Sequence, residues 1–142
     1  MNDPQEKDLQ DVAALVGRTL LGLLFVVSGV EKIGAFADTA VYMASAGLPA
    51  VKVLLVLAII VEIGGGGAIC FGWRTRLAAV AVLLFTVIVT MVFHRFWSAP
   101  PDQAIVQRLM FMKNVSIMGG LVMLFAFGPG TVALGFGGRR TD

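Results

Sequence analysis

The sequence predicts an all-α integral membrane protein: a four-helix transmembrane bundle with a short interfacial helix in its first loop. Pattern and composition both point there. Four apolar stretches, at residues 15–30, 53–71, 77–93 and 109–127, each approach the roughly 20 helical residues that cross a hydrocarbon core of about 30 Å. Of 142 residues, 58% are hydrophobic and 14% charged, with a mean hydropathy of +0.89. Soluble domains are nearer 45–50% apolar.

The first span is expected at about residues 12–33, with Asp11 as an N-cap whose carboxylate accepts from an exposed backbone N–H. Gly34 interrupts it. Residues 34–50 are too polar and broken to cross a bilayer. Asp38-Thr39 reads as an N-cap and Gly47-Leu48-Pro49 as a stop, so residues 39–46 are expected to form a helix at the interface, with Tyr42 at headgroup level. The second span, about 52–72, and the third, about 76–97, are joined by Gly72-Trp73-Arg74-Thr75-Arg76, which is short enough to make them antiparallel neighbours. Pro100-Pro101 ends the third. A fourth span over about 104–127 is closed by Gly128-Pro129-Gly130. The whole chain, 1–142, reads as one domain without an internal repeat.

An even number of spans puts both termini and the second loop on one side. Arg74/Arg76 and Arg139/Arg140 are dense cationic clusters just outside helix ends on that side, so both termini are expected in the cytoplasm, with the protein in the inner membrane. The N-terminal residues Asp3, Glu6, Asp8 and Asp11 outnumber Lys7, unlike the basic start of a cleavable signal, and the first helix reads as retained.

Several function classes are excluded. No basic stripe with interleaved aromatics exists to follow a phosphate backbone, so nucleic-acid binding is not expected. Cys70 is the single cysteine and His94 the single histidine. That rules out an intramolecular disulfide, a CxxC pair, a cysteine-based zinc or iron–sulfur site and bis-histidine haem within one chain. Membrane lipid is the expected surrounding, and a homo-oligomer is compatible with the composition.

The candidate polar residues are Arg18, Glu31, Lys32, Glu62, His94, Lys113 and Asn114. Ionisable groups at membrane depth are costly, so they normally face a bundle interior, pair, and mark a pathway or site. Glu62 lies midway along its span and requires a nearby cation to stay ionised. Arg18 and Lys113 are its expected partners. The pair reads equally as a proton-active or ligand-orienting acid and as a structural ion pair between helices. His94, the one side chain with an ordinary pKa near neutrality, reads either as a group for a quinone carbonyl or proton relay, or as an interfacial cap beside Trp97. Arg18 and Lys32, 14 positions apart, return to nearly the same helix face. Thr86, Thr90 and His94 make a stripe on the third span, and Gln107 and Asn114 another on the fourth. Gly64 to Gly67 lie inside a span, where close helix approach or a local break explains them better than phosphate binding.

These residues stand in blocks: Gly17-Arg18-Thr19-Leu20-Leu21, Ser28-Gly29-Val30-Glu31-Lys32, Tyr42-Met43, Gly47-Leu48-Pro49, Val61-Glu62-Ile63-Gly64-Gly65, Thr75-Arg76, Phe93-His94, Phe96-Trp97, Lys113-Asn114 and Met118-Gly119-Gly120. In that order, over nearly the whole chain, they resemble the DoxX family of small four-span membrane proteins. The resemblance implies a redox or quinone setting, since the family takes its name from a subunit of a thiosulfate:quinone oxidoreductase. The expectation is a membrane subunit of an oxidoreductase system that offers a pocket to a quinone-like or lipid-like molecule. Electrons would come from a partner redox protein. The alternative is a non-catalytic assembly factor or small-molecule carrier whose buried charges fix the bundle.

Overall fold

The computed structural model describes residues 4–134. Among them the chain is helical, without strands, and four helices are long and apolar enough to cross a membrane. The first span is α1 (Pro4–Gly34). A short helix, α2 (Phe36–Ser45), follows after a single break at Ala35. The second span, Val51–Phe71, consists of α3 (Val51–Ile60), a π-helical turn (Val61–Gly65) and α4 (Gly66–Phe71). The third is α5 (Thr75–Phe93), which leads through a 3-10 turn (Phe96–Ser98) to the fourth, α6 (Pro101–Phe127).

Helix starts differ from expectation for identifiable reasons. α1 begins at Pro4, so Asp11 lies inside the helix and is no N-cap. Proline suits a first helical position, and Glu6 in the first turn complements the helix dipole. In the same way α2 begins at Phe36 with no side-chain cap, which places Asp38 in its first turn and not before it. Pro101 stands at the start of α6, so the proline pair opens that helix and does not end the third span's, which has already stopped at Phe93. The expected cationic pair Arg139/Arg140 lies outside the described residues.

The bundle is built from two antiparallel pairs, the first span against the second and the third against the fourth. Its core is Phe25, Ile69, Ala78, Ala79, Val82 and Leu121. Large apolar side chains elsewhere on the spans, such as Leu20, Val56, Ile88 and Val122, point outward. In lipid that outward face carries no penalty, and small residues set how closely helices pack. Gly22 and Gly66 show this directly. A Cβ on Gly22 would stand 2.6 Å from the Gly66 carbonyl oxygen, and one on Gly66 2.7 Å from that of Gly22. The backbones therefore touch at this crossing.

The second span ends in a Schellman motif. Trp73 N–H donates to Ala68 O at 2.9 Å and Gly72 N–H to Ile69 O at 3.2 Å, with Gly72 at φ +75°. A side chain at Gly72 would also strike Ala133, only 2.6 Å from its Cβ position. At the opposite end Tyr42 of α2 stacks on Phe93 at 5.3 Å, which closes α2 over the C-terminus of α5. Phe96, Trp97 and Phe111 form an edge-to-face cluster that anchors the connection into α6.

Candidate functional site

Glu62 sits in the π-helical turn and is only 4% exposed. A π turn widens the helix locally and leaves its backbone pattern irregular, a feature that recurs at functional positions. Here it faces the first span at Gly29, where a Cβ would stand 3.2 Å from the Glu62 Cβ. Ser28 Oγ donates to Glu62 Oε1 at 3.1 Å, and Lys32 Nζ donates to the same oxygen at 3.0 Å and to Ser28 Oγ at 2.7 Å. Glu62 Oε2 is buried and has no hydrogen-bond partner.

The partner of Glu62 is thus Lys32, not Arg18 or Lys113. The reason is axial level. Arg18 and Lys32 share a helix face, but 14 residues at about 1.5 Å each separate them by roughly 21 Å. The antiparallel second span meets Arg18 at Gly72 and meets Gly29 at Glu62. A helical side chain leans toward the N-terminus of its own helix, so Lys32 reaches back one turn over Ser28 to the carboxylate. Lys113 stays exposed and has Met110 Sδ, at 3.5 Å, as its neighbour.

Arg18 belongs to the other end of the bundle. It is 5% exposed and donates from a guanidinium nitrogen to Pro129 O at 2.5 Å, while its Nε has no partner. With the bond from Leu134 N–H to Phe71 O at 2.9 Å, it holds the segment after α6 against the end of the second span.

The polar stripes of the third and fourth spans meet. Thr86 and Thr90 donate back to Val82 O and Thr86 O, at 2.7 and 2.6 Å. Asn114 Nδ2 donates to Thr90 Oγ1 at 2.9 Å in a buried contact. His94, just past α5, places Nδ1 at 2.9 Å from Gln107 Oε1. An amide oxygen only accepts, so that bond places the proton on Nδ1 and leaves Nε2 with a free lone pair in the neutral ring.

These groups surround a cleft of about 570 Å³ between the first, third and fourth spans. Of the expected residues, Glu31, Lys32, Glu62, His94, Lys113 and Asn114 line it, and Arg18 does not. Exposed Leu20, Leu23, Leu24 and Val27 form its rim on the first span, so it opens sideways where lipid chains would lie. Phe25, Phe85, Val89 and Ile117 supply apolar walls. Ser28 and Gln107 were not singled out as site residues from sequence. Ser28 lies one helical turn before Lys32, and Gln107 one stripe position before Asn114, and those spacings were the available signals.

Comparison with known proteins places the chain. The DoxX family model matches residues 13–95, more than half of its length. The chain belongs to the DoxX family. Over 128 residues it is 40% identical to the inner membrane protein YqjF of Escherichia coli K12, covering 90% of this chain and 93% of that one. It is also 32% identical over 123 residues to the inner membrane protein YphA of the same organism, covering 87% and 88%. No solved structure matches it significantly. With four membrane-length apolar helices, this DoxX protein is a multi-pass integral protein of the inner membrane. The matched segment includes Ser28, Lys32, Glu62 and His94, whereas Lys113 and Asn114 lie beyond it.

Proposed function

We propose that this DoxX protein is a membrane subunit of an oxidoreductase system that binds a quinone-like amphiphile in the cleft beside Glu62 and His94. The observation that carries the reading is a cavity with apolar walls, a polar interior and a rim of exposed aliphatic side chains. A molecule dissolved in the bilayer enters such a site without crossing water. Its ring has Phe25, Phe85 and Ile117 to pack on, and its polar head has His94, Asn114 and Lys113. Small-molecule sites commonly combine mostly apolar walls with a few placed polar groups. Electron transfer then falls to a partner redox protein that docks on the bundle.

The orientation proposed with this reading has both termini and the loop from Gly72 to Arg76 in the cytoplasm, on the strength of Arg74 and Arg76. The cleft end, with Lys32 and His94, then faces the opposite side of the membrane.

The test is titration of the purified protein in lipid nanodiscs with decylubiquinone, read by calorimetry. Saturable binding whose affinity shifts in His94→Ala and Glu62→Gln, both judged folded by circular dichroism, supports the reading. Equal affinity in all three proteins removes it. The alternative, a non-catalytic assembly factor or small-molecule carrier, rests on the Lys32–Glu62–Ser28 contact as a tie between the first two spans. It gains if Glu62→Gln lowers thermal stability while no quinone binds.

A further inference from the structure

We infer that the cleft selects the reduced, hydroxyl-bearing form of its ligand, a hydroquinone, over the oxidised dicarbonyl form. This rests on the quinone-like reading proposed above and adds which redox form the site is built to hold.

The inference comes from counting donors and acceptors around the cavity. Lys32 points its ammonium at Glu62 Oε1, Ser28 Oγ and, at 3.5 Å, the Ser28 carbonyl. Its three hydrogens are taken. Ser28 donates to Glu62, and Thr86 donates to its own helix. Acceptors with free capacity outnumber donors, and they include the Glu31 carboxylate and the Thr86 hydroxyl oxygen, both on the cavity lining. Glu62 Oε2 is buried without any partner. Asn114 engages Thr90 through Nδ2, which leaves Oδ1 without a donor. His94 places Nδ1 against Gln107 Oε1, which in the neutral ring leaves the Nε2 lone pair to accept. The donors still free are one Asn114 amide hydrogen and, on an exposed residue, the Lys113 ammonium.

Chemistry then separates the two redox forms. A quinone carbonyl only accepts, and beside a carboxylate oxygen it meets lone pairs with lone pairs. A hydroquinone presents two O–H donors, and one directed at Glu62 makes a charge-assisted hydrogen bond, the stronger kind. A buried acceptor without a donor is itself unfavourable, so a ligand that satisfies Glu62 also removes that penalty. The terminal torsion of glutamate is soft and roughly two-fold, so the carboxylate can turn an oxygen toward the cavity while Lys32 holds the other.

The experiment compares decylubiquinol with decylubiquinone, each titrated anaerobically into the wild-type protein and Glu62→Gln in nanodiscs. The wild type is expected to bind the quinol about tenfold more tightly, the scale of one hydrogen bond to a charged group. In Glu62→Gln the amide can donate as well as accept, so the preference is expected to vanish while the quinone still binds. Equal wild-type affinities, or a preference for the quinone, overturn the inference and leave the ligand reading intact. A quinol preference that survives in Glu62→Gln overturns the assignment to Glu62. Binding of neither compound overturns the ligand reading itself. The wild-type comparison decides the matter even if the variant fails to fold.

Discussion

Lys32 leans back one turn along the first span and meets Glu62 of the second at 3.0 Å, with Ser28 bridging the two. The contact joins two helices that already touch backbone to backbone at Gly22 and Gly66, a short way along the same crossing. It sets the height of the π-helical turn against the first span, and so fixes the carboxylate at the inner end of the cleft.

Removing one partner of this pair should be worse than removing both. Lys32→Met leaves a buried carboxylate held by Ser28 alone. Breaking a buried pair costs about 3–5 kcal/mol, and the 27% exposure of the Lys32 side chain lowers that to about 2–3 kcal/mol. Lys32→Met with Glu62→Leu should recover much of the loss. Equilibrium unfolding of the single and double variants in detergent checks the coupling, and strictly additive losses would count against it.

The glycine run gives a paired control. Gly66→Ala forces a methyl to within 2.7 Å of the Gly22 carbonyl, so the helices must separate, whereas a Cβ on Gly67 meets nothing within 4 Å. Gly67→Ala should be neutral or stabilising by up to about 1 kcal/mol, the helix propensity difference. Gly66→Ala should lower the melting temperature clearly. Similar melting temperatures for the two would show that the close crossing is not formed.

Arg18→Met should loosen the far end and leave the cleft alone. With the bond to Pro129 gone, amide hydrogen exchange should rise over residues 128–134. Quinone affinity should stay at the wild-type level, because Arg18 does not line the cavity. A fall in affinity without any change in exchange would mean that the two ends of the bundle are coupled.

Topology is open to a direct check. Reporter fusions at residue 142 and in the loop of residues 99–103 should give opposite readouts, with the C-terminal one cytoplasmic. Matching readouts would mean that one of the four apolar helices does not cross the membrane.

The spans were legible because hydrophobic length is written locally, and so was the tight Gly72 turn between the second and third. Helix starts were less so. Asp11 is a good cap by type, but Pro4 with Glu6 offered an earlier start that the helix takes. The polar stripes of Thr86, Thr90, Gln107 and Asn114 were visible as spacing, and their meeting through Asn114 and Thr90 follows from the third and fourth spans being paired. The partner of Glu62 was not legible. Periodicity reports which face a residue is on, but the choice among Arg18, Lys32 and Lys113 depends on the relative height of two helices. That height is set by the Gly22–Gly66 contact and by the tilt of the Lys32 side chain, neither of which is a property of one helix alone.

The measurement that bears most directly on the cleft as a ligand site is photoaffinity labelling with an azido-quinone in native-like bilayers, mapped by peptide mass spectrometry. Labels are expected on the residues that wall the opening, Leu20 to Val27 of α1 and Lys113 to Ile117 of α6, and should be competed away by excess decylubiquinone. Labelling spread over the outward faces of all four spans, unaffected by competitor, would contradict a ligand site in the cleft.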